Sequence, residues 1–137
     1  MKNIFKLSIL FFSLFLFTQC TKNEIPNDAM EATIIGRWKI VGFDNIQYEF
    51  TANKRHDIYA LNNNFPTLEE HLQQNPNLPG LDWYYEGTAV VVDLNFGNLS
   101  KLIPVFKCNN NVIDWIAQDN SLHSTFYKIN HDISSCN

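Results

Sequence analysis

From Thr33 onward apolar and polar residues alternate with a period of two, the pattern of half-buried β-strands. "TIIGRWKIVGF" reads as a first strand interrupted by Gly36. "IQYEF" sets Ile46, Tyr48 and Phe50 on one face, residues 51–54 turn the chain, and "RHDIYAL" returns it. The period then changes. In "NFPTLEEHLQQNPNLPG", Thr67 to Glu70 form a capping box, and Pro76 and Pro79 lie beyond the last helical position, which predicts one short helix over 68–74. Strands resume with "LDWYYE", "TAVVVDLNF", "KLIPVFKC", "VIDWIAQ" and "LHSTFYKIN". Val90, Val92, Leu94 and Phe96 are expected to share a face, and Pro104 marks an edge or bulged strand. Eight strands joined mostly by short turns predict an all-β fold. The simplest way to remove their edges is a small eight-stranded antiparallel meander barrel with one inserted helix; a β-sandwich is the alternative.

The pattern differs at the N-terminus. Lys2 and Lys6 precede an apolar run, residues 7–17, broken only by Ser8 and Ser13. As a helix this run would rise roughly 16 Å, about half of a ~30 Å hydrocarbon core, too short to span and suited to the apolar region of a secretory signal. No alanine precedes Ala29, so an A-x-A cleavage site is missing. Instead Phe17-Thr18-Gln19-Cys20 leads into the polar stretch "TKNEIPNDAME". This segment resembles a bacterial lipoprotein signal with a relaxed lipobox. Phe17 stands where leucine is common and Gln19 where a small residue is usual. The resemblance implies a signal peptide over 1–19, lipid attachment at Cys20, a flexible tether over 20–31 and a single domain over 32–137. It also implies anchoring in the cell envelope, most simply at the outer membrane of a Gram-negative bacterium, because no aspartate follows the cysteine.

Removing residues 1–19 leaves 8 basic against 14 acidic side chains, a net charge of −6. An acidic chain with no basic cluster longer than Lys54-Arg55 is a poor partner for nucleic acid or anionic headgroups, so any membrane anchoring falls to the lipid. Six Phe, five Tyr and three Trp remain, enough aromatic area for one core. Asparagine runs at 62–64 and 109–111 read as turn chemistry. With Cys20 acylated, Cys108 and Cys136 remain, and an exported chain is expected to bridge an even pair; free thiols are the alternative.

Gly36-Arg37-Trp38 at the head of the first strand, followed by eight strands, resembles the G-x-W of lipocalins, and the body resembles the compact lipocalin-like domains of envelope lipoproteins. In that family the tryptophan closes one end of the barrel beneath a basic side chain, a part that falls here to Lys128. The resemblance implies a site for a small apolar or amphiphilic molecule. Trp38, Trp83, Tyr85, Trp115 and Phe126 are the candidate ligand-binding residues, with the helix as a lid over a face formed by Trp83-Tyr84-Tyr85. Rings that simply pack under the helix are the plainer alternative.

Trp38, Phe50, Phe96, Phe106, Trp115 and Phe126 are also numerous enough to fill a small barrel. That outcome would favour a protein-interaction or inhibitor role, and a cavity would favour binding. His56, His71, His123 and His131 show no metal-ligand spacing, so no metal or other cofactor is expected. No nucleophile or phosphate-binding motif is present, and the chain is not expected to be an enzyme. A hydrolase of cell-wall or lipid substrates would need convergent carboxylates, for which Asp82, Glu86 and Asp93 are candidates.

Overall fold

The computed structural model describes residues 32–136. The expected signal peptide, the lipidation site Cys20 and the 20–31 tether lie outside the described residues.

The eight strands are β1 (Gly36–Ile40), β2 (Phe43–Phe50), β3 (Lys54–Tyr59), β4 (Leu81–Glu86), β5 (Ala89–Asp93), β6 (Leu99–Lys107), β7 (Val112–Ile116) and β8 (Leu122–Lys128), with helix α1 (Leu68–Gln74) between β3 and β4. Each strand pairs with the next, and β8 returns antiparallel to β1 through Trp38↔Lys128 and Ile40↔Phe126. The sheet is therefore a closed barrel and not a sandwich. Closure gives each strand a partner on both sides, which a twisted eight-stranded meander cannot otherwise achieve.

Pairing is thinnest between β3 and β4, which share only Lys54↔Asp82 and Arg55↔Leu81. β6 hands over from β5 to β7 along its length: Leu99 to Leu102 pair with β5, Ile103 to Lys107 with β7. Pro104 lies past the last β5 pair, where its missing N–H leaves no registered ladder bond unmade.

The closed end is built around Trp38, which is fully buried. Its indole Nε1–H donates to the Ile34 carbonyl at 2.7 Å, and Lys128 Nζ lies 5.6 Å from the ring centroid. The chain before β1 thus folds under the barrel, and the bend falls at Gly36, whose φ of 121° is left-handed. Tight turns elsewhere use asparagine: Asn62, Asn63, Asn95, Asn109, Asn110 and Asn120 all have positive φ, a conformation asparagine tolerates better than most side chains.

α1 starts at Thr67, whose hydroxyl accepts from Glu70 N–H while the Glu70 carboxylate accepts from Thr67 N–H. It packs on the outer face of β3, where His71 meets His56 at 6.3 Å between ring centroids. Cys108 and Cys136 stand at disulfide distance, with Cα atoms 5.6 Å apart and a sequence separation of 28. The bridge ties the chain beyond β8 to the β6–β7 turn. Closing such a loop contributes ~3.5 kcal/mol in the chain-entropy picture. Cys136→Ser should therefore lower the free energy of unfolding by about 2–4 kcal/mol in urea titrations, and a change below the fitting error would show the tail to be dispensable.

Candidate ligand cavity

Alternation along the strands sends one set of side chains inward. From β2 these are Ile46, Tyr48 and Phe50, from β5 Val90 and Val92, from β6 Ser100 and Leu102, and from β7 and β8 Trp115, Ser124 and Phe126. They do not fill the barrel. A cavity of about 560 Å³ remains, bounded also by Ile40, Phe43, Asn45, Arg55, Tyr59 and His123. Phe43, Asn45, Tyr59 and His123 stand where β2 and β8 begin and β3 ends, so the cavity opens at the end opposite Trp38.

The floor is aromatic. Phe50 stacks on Trp115 at 6.2 Å and 23° and meets Trp83 edge-on at 5.9 Å. Phe126 lies 5.6 Å from Trp115 and 5.3 Å from Tyr48. Trp83 sits below this layer, its Nε1–H donating to the Thr51 carbonyl at 3.1 Å. Trp115 is buried, and its own Nε1–H has no hydrogen-bond partner among the described residues. A buried donor left unpaired costs about 1–3 kcal/mol.

Of the five ligand-binding candidates, Trp115 and Phe126 line the cavity. Trp38 and Trp83 do not: they are structural, packed beneath the floor and tied to main-chain carbonyls. Tyr85 also stays out of it, half-exposed and edge-on to Trp83 at 5.5 Å. Nor does α1 lie across the mouth as a lid; it packs beside the barrel on β3. Phe96, expected inside, is wholly exposed, because β5 ends at Asp93 and the turn carries Asn95 and Phe96 at positive φ.

The polar wall comes from β3, where periodicity misleads. Arg55 and Tyr59 face the cavity, while His56 and Ile58 face outward and are nevertheless buried. The outer face is covered because the β3–β4 connection returns along it. Arg37 pairs with Glu49 and donates to the Pro66 carbonyl at 2.7 Å, and Gly80 lies so close that a Cβ there would sit 2.8 Å from His56 Nδ1. Inside, Arg55 makes a two-point contact with Asp57, at 2.9 and 3.1 Å, and its guanidinium lies 4.5 Å from the Tyr48 ring centroid. Burial raises the Tyr48 phenol above its ordinary range, with Arg55 pulling the other way, so Tyr48 remains a neutral donor at physiological pH.

No family model, curated protein or solved structure matches the chain. The candidate carboxylates do not line it: Asp82 pairs with Lys54 at 2.8 Å, Glu86 with Lys101, and Asp93 Oδ1 accepts from Asn95 N–H at 2.7 Å. No cluster of three or more His, Cys, Asp or Glu side chains suited to a metal occurs among the described residues.

His56 gives the outer layer a pH dependence. Burial, then the neighbouring His71, lowers its pKa below the ordinary imidazole value. A depressed histidine binds its proton more readily in the unfolded chain. Its stabilising effect is therefore complete above about pH 6.5 and is lost as pH falls below that value. The midpoint of thermal unfolding should drop between pH 7.5 and 5, and His56→Gln should flatten that slope; an equal slope in both proteins would contradict this assignment.

Proposed function

We propose that this chain is an envelope-anchored lipoprotein whose barrel holds one small apolar or amphiphilic molecule. The observation that carries the proposal is the open cavity of about 560 Å³ with Ile46, Phe50, Val90, Val92, Leu102 and Phe126 in its walls. That volume lies within the ~300–1,000 Å³ common for small-molecule sites, and the lining is mostly apolar with a few placed polar groups. The Arg55–Asp57–Tyr48 group on one wall suits a ligand that carries an oxygen acceptor on an apolar body. Because Asp57 already balances the charge of Arg55, the wall offers hydrogen bonds more than net positive charge. The anchoring half of the proposal rests on Cys20 and the apolar run before it.

Titration with an apolar fluorescent probe tests the binding half. Saturable one-to-one binding, competed by long-chain fatty acids or alcohols, is the expected result. Linear, unsaturable uptake would remove the ligand from the account. Tyr48→Phe keeps an aromatic wall but deletes its hydroxyl donor. It should weaken oxygen-bearing amphiphiles by roughly three- to tenfold and leave a pure hydrocarbon probe unaffected.

A further inference from the structure

The four connections at the mouth end differ in chemistry from those at the closed end. β1–β2 exposes Val41 and Phe43, the chain after β3 exposes Leu61, β5–β6 exposes Phe96 and Leu99, and β7–β8 leads into exposed Leu122. The opposite turns, residues 51–53, 87–88 and 108–111, carry no large aliphatic or aromatic side chain; the exposed apolar residues at that end, Ile35, Tyr84, Tyr85 and Ile129, lie on β4 and on the chain flanking β1 and β8. Phe96 is the extreme case. It is 101% exposed at the tip of its turn, with φ of 55°, a left-handed conformation that a bulky side chain rarely adopts. Single exposed apolar residues need no explanation, but a crown of them on every connection around one opening does.

We propose that this rim is a membrane-docking surface that seats the barrel mouth-down on a lipid bilayer. Three observations favour a bilayer over a protein partner. The apolar groups stand on separate turns and strand ends around an opening, a shape suited to insertion into a fluid interface and not to a flat complementary face. The rim is continuous with the cavity through Phe43 and Tyr59, so an apolar ligand could pass between the two without crossing water. Residues 21–31 reach at most roughly 40 Å when extended, whereas an eight-residue strand such as β2 measures roughly 26 Å. A chain held at Cys20 therefore has length enough to run past the barrel to the closed end, where β1 begins, and leave the mouth against the membrane. Charge narrows the surface further. The mouth connections hold Glu69, Glu70 and Asp119, with Asp44 and Asp93 at the adjoining strand ends, and no lysine or arginine, so docking is apolar and gains nothing from anionic lipid.

This proposal rests on the anchored reading for its geometry, and the test separates the two. Full-length protein is placed on phosphatidylcholine vesicles with brominated acyl chains, using Phe96→Trp and, as control, Tyr84→Trp, a half-exposed aromatic site on the barrel side. The extra emission from Phe96→Trp should fall by at least half and that from Tyr84→Trp by little. Adding a fifth of anionic lipid should leave the quenching unchanged or lower. A chain that stays on the vesicles with Phe96→Trp unquenched overturns the docking alone. A chain that leaves the vesicles overturns the anchoring as well. A several-fold rise with anionic lipid, or a dimer in native mass spectrometry lost in Phe96→Asp, would assign the rim to charge or to a second copy. As a second variant, Phe96→Asp combined with Leu122→Asp should slow loading of an apolar probe from vesicles at least fivefold and leave its binding from solution intact. Equal loading from both sources would contradict the proposal.

Discussion

Val92→Phe combined with Leu102→Phe is expected to weaken binding of an apolar probe at least tenfold, about 1.4 kcal/mol, while the protein stays folded. Both side chains line the cavity, on adjacent strands: Val92 pairs with Ser100 and Val90 with Leu102, so the two new rings would rise side by side from one wall. Adding bulk to a filled core usually costs 1–3 kcal/mol through forced rotamers. Here the rings expand into open volume, so the unfolding midpoint should fall little or rise. Binding and stability therefore separate in this variant. If binding persisted unchanged, the probe would occupy some other surface, with the rim the first place to look. If the protein unfolded, the interior would be better packed than a 560 Å³ cavity allows.

Trp38→Ala is expected to remove about 3–5 kcal/mol of stability, close to the whole margin of many small domains. The indole is fully buried in the closed end, and its truncation would leave a void there and the Ile34 carbonyl without its donor. Trp38→Phe divides the effect: it restores most of the packing but not the hydrogen bond and should cost about 1–3 kcal/mol. Urea unfolding followed by circular dichroism measures both. A loss below about 1 kcal/mol for Trp38→Ala would show that the closed end is not what holds the barrel together.

Much of the architecture is legible in the residues because each strand here is short, alternating and followed by a turn with its own chemistry. The capping box at Thr67 and the two prolines after it delimit α1, and G-x-W marks the closed end with Lys128 over the ring. The site is less legible, for two reasons. Period-two reasoning assumes one wet face per strand, and β3 breaks that assumption. The returning connection buries Ile58 and His56 outside, so Arg55 and Tyr59 turn inward against their polarity. The other reason is strand length. Phe96 keeps the phase of Val90 and Val92 on paper, but the ladder stops at Asp93 and the left-handed turn swings the ring into solvent. A residue's phase says nothing once pairing ends. The same limit explains Trp83: its face is inward as alternation requires, but its height along the barrel, set by shear between strands, places it below the cavity. Neither strand ends nor shear is written in a hydropathy pattern.

The central claim is that the barrel carries a small molecule while a lipid on Cys20 holds it to a membrane. Native mass spectrometry of the full-length protein, extracted from its membrane in mild detergent, tests both parts in one spectrum. The account predicts a chain beginning at Cys20, heavier by two or three acyl chains, with one further small molecule that is absent from the Val92→Phe/Leu102→Phe variant. A bare polypeptide mass, with no acyl increment and no retained molecule, would contradict it.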